Sequence, residues 1–241
     1  MAVALVAALA IGGTVAYLTD TEQTTNTFTV GEVKIDLVED NYAALTAAEK
    51  SNLVPNQEVA KDPKVTNTGV NDAIVFLKVT VPVKNVTLVA DDGTCGTKEM
   101  QEIFYLKSTG TQFTHANDFN ASWIELSAKE TGTDHSGATR TYVFGYNAAI
   151  AANASTSELF SKIQLKSVLE DELVAGADQE ILVEAFGIQA SDVLSASADL
   201  TDTLDATSLA AIYDIVVNQN STVTARQATG GNLNLAGGAN S

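Results

Sequence analysis

Apolar and polar residues alternate with a period of two over much of the chain. The strongest case is residues 73–83 (AIVFLKVTVPV). Val75, Leu77, Val79 and Val81 fall on one face of an extended strand, and Ile74 and Phe76 make its first half apolar on both faces, the pattern of a strand lying between two covers. Further strands are predicted near residues 85–90, 102–106, 122–126, 139–146, 159–165 and 179–189, and Asp91-Asp92-Gly93 is a hairpin-turn signal. Residues 41–52 read as a short helix or helical loop, after which Pro55, Pro63 and Gly69 punctuate a loop, strand and turn passage. Residues 208–217 (SLAAIYDIVV) place Leu209, Ile212 and Val216 at helical spacing, with Asp202 or Asp205 available to start the helix. Short strands separated by Gly, Asn and Thr-rich turns, without regularly interleaved helices, predict an all-β antiparallel sandwich carrying one or two short helices.

The first residues follow a different pattern. Residues 1–18 carry no charge, and residues 2–11 (AVALVAALAI) form one apolar run before Gly12-Gly13. Such a run matches the ~7–15-residue apolar region of a secretory signal peptide and falls short of the ~20 residues that span a bilayer. Thr14-Val15-Ala16 offers small residues at the positions that signal peptidase reads, which puts cleavage between Ala16 and Tyr17. A permanent anchor is the competing reading, if residues 15–18 extend the helix; the two glycines and the lack of flanking basic residues weigh against it. Beyond the cleavage site lies Thr-rich strand sequence whose parity changes midway. Phe28 and Val30 share one face while Val33, Ile35 and Leu37 lie on the other, so a bulge or break is expected at Gly31-Glu32. The expected organisation is a signal peptide over 1–16, a separate strand-forming segment over 17–31, a sandwich over 32–217 and a polar Asn/Gly-rich tail over 218–241.

Composition narrows the function. Among 241 residues, 13 Lys and Arg face 30 Asp and Glu, a formal charge of -17 with a pI near 4.2. Nucleic-acid binding needs a basic surface to neutralise phosphates, and adhesion to anionic lipid needs the same, so both are disfavoured. At 45% hydrophobic residues the chain has the means to bury a core. A single cysteine, Cys95, excludes an internal disulfide. The two histidines, His115 and His135, do not form an HExxH pair, and no GxSxG, Walker, GxGxxG or CxxC motif occurs. The acidic runs at residues 170–172 and 199–205 lack the DxDxDG spacing that surrounds calcium with oxygens and read as solvated faces. The expectation is no catalytic residue, no metal and no cofactor.

Three passages carry a family resemblance: GGTVAYLTDTEQTTNTFTVGEVKIDLVE (12–39), VPNQEVAKDPKVTNTGVNDAIVFLKV (54–79) and EAFGIQA (184–190). They resemble the TasA and camelysin family of exported bacterial proteins. The resemblance implies a jelly-roll-like sandwich that is secreted, leaves no stable membrane span after cleavage, and polymerises into extracellular fibres of the biofilm matrix. Its partners would be identical subunits joined head to tail, with signal peptidase acting during export. The joint would be a donor strand inserted into the next subunit through Tyr17, Leu18, Thr19, Asp20, Thr27, Phe28, Thr29 and Val30. Strand addition pairs backbone groups at about 0.5–1.5 kcal/mol each, and burying Phe28 or Val30 adds about 1.5–3 kcal/mol apiece. Such a contact is heterologous and propagates without closing. Two other readings stay open: a monomeric secreted surface protein in which residues 17–30 are its own edge strand, and a camelysin-like metallopeptidase. A type IV pilin fits poorly, because residues 1–18 lack the acidic residue near the start of a pilin helix.

Overall fold

The computed structural model describes residues 33–51, 53–108, 116–126, 139–173, 178–193, 203–219, 226–229 and 232–234. The chain divides into two units, residues 1–30 and 31–241, and the described residues all lie in the second. In chain order its elements are β1 (Ile35–Val38), α1 (Asp40–Ala44), β2 (Glu58–Ala60), β3 (Lys64–Asn67), β4 (Ala73–Val89), β5 (Cys95–Glu102), β6 (Phe104–Lys107), β7 (Trp123–Glu125), β8 (Thr139–Tyr146), β9 (Lys162–Leu165), β10 (Leu182–Gln189), α2 (Ala190–Val193), α3 (Ala206–Gln219), β11 (Arg226–Thr229) and β12 (Asn232–Asn234).

The two-faced pattern of residues 73–83 makes β4 the centre of one sheet, ordered β12-β11-β10-β4-β8-β7, with every pairing antiparallel. The second layer is built from the pairs β1-β3 and β2-β9-β6. Backbone bonds join them: residues 153–161 run antiparallel to residues 61–67 through Lys61 N–H to Ser161 O, Leu159 N–H to Pro63 O, Thr156 N–H to Val65 O and Asn67 N–H to Ala154 O. The result is a sandwich. Val75, Leu77, Val79 and Val81 of β4 pack in its core with Leu37, Val65, Ile103, Leu106, Phe144 and Phe160, while Ile74 and Phe76 point to the opposite face and pack with Leu209, Ile212 and Val216 of α3. The two covers expected from the sequence are therefore the second sheet and this helix. Asp205 starts α3: its carbonyl accepts Leu209 N–H, and its carboxylate accepts Ser208 N–H at 2.7 Å. Gly145 of β8 lets the helix approach, since a Cβ there would stand 3.0 Å from Leu209 Cδ2 and 3.1 Å from Phe76 Cε1.

Two predicted strands are drawn differently. The strand expected near residues 85–90 is continuous with β4, whose later half pairs with β5 across a turn at Asp91–Gly93. Gly93 has a φ of 83°, the conformation that favours glycine. Pro82, with no N–H to give, stands where β4 passes from β8 to β5. The strand expected at residues 102–106 is cut at Ile103, whose N–H bonds Pro82 and whose carbonyl accepts Lys166 N–H, so the chain changes sheets there. The helix expected over 41–52 occupies only α1. In the stretch expected as a polar tail, β11 pairs with β10 and β12 with β11.

Candidate functional site

Residues 34–35, 67–73 and 187–190, distant in sequence, meet where β4 begins and β10 ends. Lys34 O accepts the N–H groups of Thr68 and Gly69. Ile35 lies over Gly187 of β10, where a Cβ would come within 3.1 Å of Ile35 Cγ2. Asn71 Nδ2 donates to Gln189 Oε1 at 2.7 Å, and Ala190 N–H bonds Asp72 O. The Lys-Asp-Pro run is architectural. Lys61 Nζ donates to both carboxylate oxygens of Glu39, at 2.8 and 3.0 Å, Asp62 accepts the N–H groups of Asn41 and Tyr42 at the start of α1, and Pro63 O accepts Leu159 N–H. Burial pushes the Glu39 carboxyl above its usual value, and the Lys61 amine offsets part of that rise.

Asn67 fixes the following turn. Fully buried, it donates through Nδ2 to the carbonyls of Asn71 and Ile150 and accepts Gly69 N–H at Oδ1. The residue types that carry the family resemblance thus hold β1, β3, β4 and β10 together. Ile35 and Leu37 anchor β1 in the core, and β1 follows directly on the segment expected to donate a strand. Tyr17, Leu18, Thr19, Asp20, Thr27, Phe28, Thr29 and Val30, and the cleavage pair Ala16 and Tyr17, lie outside the described residues.

A polar cavity of about 340 Å³ lies elsewhere on the body, lined by residues that include Glu102, Tyr105, Asn117, Arg140, Tyr142 and Lys166. Glu102, at the end of β5 and 6% exposed, organises it. Its Oε1 accepts the Tyr142 hydroxyl at 2.6 Å and lies 3.2 Å from Arg140 Nη1, and its Oε2 accepts Asn117 Nδ2 at 3.3 Å. Burial and that carboxylate push the Tyr142 phenol far above its usual range, so its proton stays in the bond to Glu102. Arg140 also covers the Tyr142 ring at 4.6 Å. Tyr105 carries two amines against its ring, Lys166 at 4.5 Å and Lys107 at 4.9 Å. Lys107 Nζ donates to Ala116 O. Burial, followed by the positive charges of Arg140 and Lys107, holds the Lys166 amine below the usual lysine range, against the attraction of Glu102.

Sequence reasoning did not single out these residues. The usable signal was the scarcity of cations: of only thirteen in the chain, Lys107, Arg140 and Lys166 converge here. Among the described residues no group of three or more His, Cys, Asp or Glu side chains is placed to hold a metal ion, and His115 and His135 lie outside them. The acidic run at residues 170–172 is partly engaged, with Glu172 accepting the N–H and hydroxyl of Thr87 and pairing with Lys98 at 3.0 Å. The described donor set therefore does not fit a catalytic metal. No helix among the described residues is long and apolar enough to cross a membrane.

Comparison with known proteins gives a family match. The model of a family described as camelysin metallo-endopeptidase matches residues 1–131. No curated protein and no solved structure matches the chain.

Proposed function

Because the chain belongs to the camelysin metallo-endopeptidase family, matched over residues 1–131 of its 241, we propose that it is an exported structural subunit. In this reading signal peptidase cleaves between Ala16 and Tyr17, and the jelly-roll-like body polymerises into extracellular matrix fibres by lending residues 17–31 as a strand to the next identical subunit. The observation that carries the proposal is the convergence of residues 67–73 and 187–190 on residues 34–35 at the start of β1. It gives a rigid root to the strand that follows the donor segment, so a tension-bearing joint would pull on a cross-bonded sheet end. The family's description as a metallo-endopeptidase favours a second reading, proteolysis. The described donor set offers no metal centre for it.

The test is negative-stain electron microscopy of protein beginning at Tyr17 beside protein beginning at Glu32. The second keeps β1 and the Glu39 partner of Lys61, so its body stays intact. Filaments from the first and monomers from the second are expected. Filaments from both would overturn the donor-strand joint, and monomers from both would leave a secreted monomer. Zinc-dependent cleavage of casein by the monomer would then decide for the peptidase.

A further inference from the structure

We propose that the cavity between β5, β6 and β8 is a binding site for a carboxylate, with Lys166 as its principal cation. The cavity has room for a small organic acid or for the end of an acidic side chain. Of its two acidic members, Glu102 is engaged by the Tyr142 hydroxyl, the Arg140 guanidinium and the Asn117 amide, and attracts Lys166 without an ion pair between them. The amine of Lys166 rests over the Tyr105 ring, and no carboxylate among the described residues lies within ion-pair distance of it. Its neighbours Arg140 and Lys107 are also positive, and burial already disfavours its charge.

An anion entering the cavity would remove that repulsion and restore a partner to a half-buried ammonium, so the site is built to gain from one. A singly charged, planar carboxylate suits it better than a phosphate dianion, because Glu99 and Glu102 also line the wall and would repel the second charge. The same chemistry has two sources: a free organic acid, or a Glu or Asp of a second copy of this chain, which carries 30 such residues.

Acetate is titrated into isotope-labelled protein while the Asn117 side-chain amide and the backbone of residues 101–106 are followed by NMR, with phosphate as the comparison anion. Saturable shifts are expected with acetate, weakened at least about tenfold in Lys166→Met and retained in Lys166→Arg, with thermal midpoints showing that both variants fold. Absence of saturation, equal response to phosphate, or unchanged affinity in Lys166→Met would overturn the proposal. Sedimentation velocity separates the sources. Self-association weakened both by acetate and by Lys166→Met assigns the carboxylate to a second copy, and binding without any effect on self-association assigns it to a free acid. Because acetate binding is read on the body alone, it fails or succeeds independently of the filament reading.

Discussion

Lys61 and Glu39 form an ion pair at 2.8 Å with side chains only 5% and 0% exposed. The pair ties the end of β1 to the connection between β2 and β3, and Lys61 also stands 4.7 Å from the Tyr42 ring centroid of α1. A buried charge whose partner is removed costs about 3–5 kcal/mol, whereas replacing both partners with apolar residues of similar volume is often neutral. Lys61→Ala is therefore expected to lower unfolding free energy by about 3–5 kcal/mol in urea denaturation, and Lys61→Met with Glu39→Leu to recover most of it. Equal loss in the single and double variants would show that the charges themselves stabilise the fold.

Asn67 is expected to be as sensitive as any core residue. Truncation to alanine removes the bonds to the carbonyls of Asn71 and Ile150 and from Gly69 N–H; Ile150 O keeps Ala73 N–H and Gly69 N–H keeps Lys34 O, so the cost is about 0.5–1.5 kcal/mol for each lost bond, and more at the Asn71 carbonyl. A large drop in thermal midpoint for Asn67→Ala, with Thr68→Ala nearly silent, would check this; parity of the two would refute the turn's role.

Gly145 tests how α3 docks. Gly145→Ala puts a methyl group against Leu209 and Phe76 at 3.0–3.1 Å, and overpacking of this kind costs about 1–3 kcal/mol. In a Leu209→Ala background the same substitution should cost less, because both Leu209 contacts are then gone and Phe76 Cε1 at 3.1 Å is the close neighbour that remains. An unchanged cost in the double variant would mean that strand geometry, not the helix contact, requires glycine.

Acid should loosen the β4-β5 hairpin. The Thr87 N–H and the Lys98 amine hold the Glu172 carboxyl below its usual 4.5. A depressed carboxyl contributes stability above the unfolded-state value and loses it as pH falls through the folded-state value. Glu172→Gln should thus lower the thermal midpoint relative to wild type above pH 4.5, and the gap should close progressively below it. Asp205, held below its usual 3.8 by Ser208 at the start of α3, acts with the same sign. Glu39, pushed up by burial, acts with the opposite one. A gap independent of pH would rule out the charge as its source.

The all-β class, the two-sided burial of β4, the Asp91–Gly93 turn and the helix containing Leu209, Ile212 and Val216 were determined by the sequence by itself. Each depends on a local period of two or 3.6 residues, or on the backbone freedom of one glycine, so neighbours along the chain suffice to specify it. The family resemblance was legible as well, but its meaning was not: Lys61, Asp62, Asn67 and Gly187 are structural ties whose partners lie at Glu39, α1, Ile150 and Ile35. Only the tertiary structure decided those partners, and only it gathered Glu102, Asn117, Arg140, Tyr142 and Lys166 from separate segments around one cavity. The physical reason is that alternation tells which face a side chain takes, while strand pairing decides what stands opposite, and pairing depends on which distant strands bury the most apolar surface together.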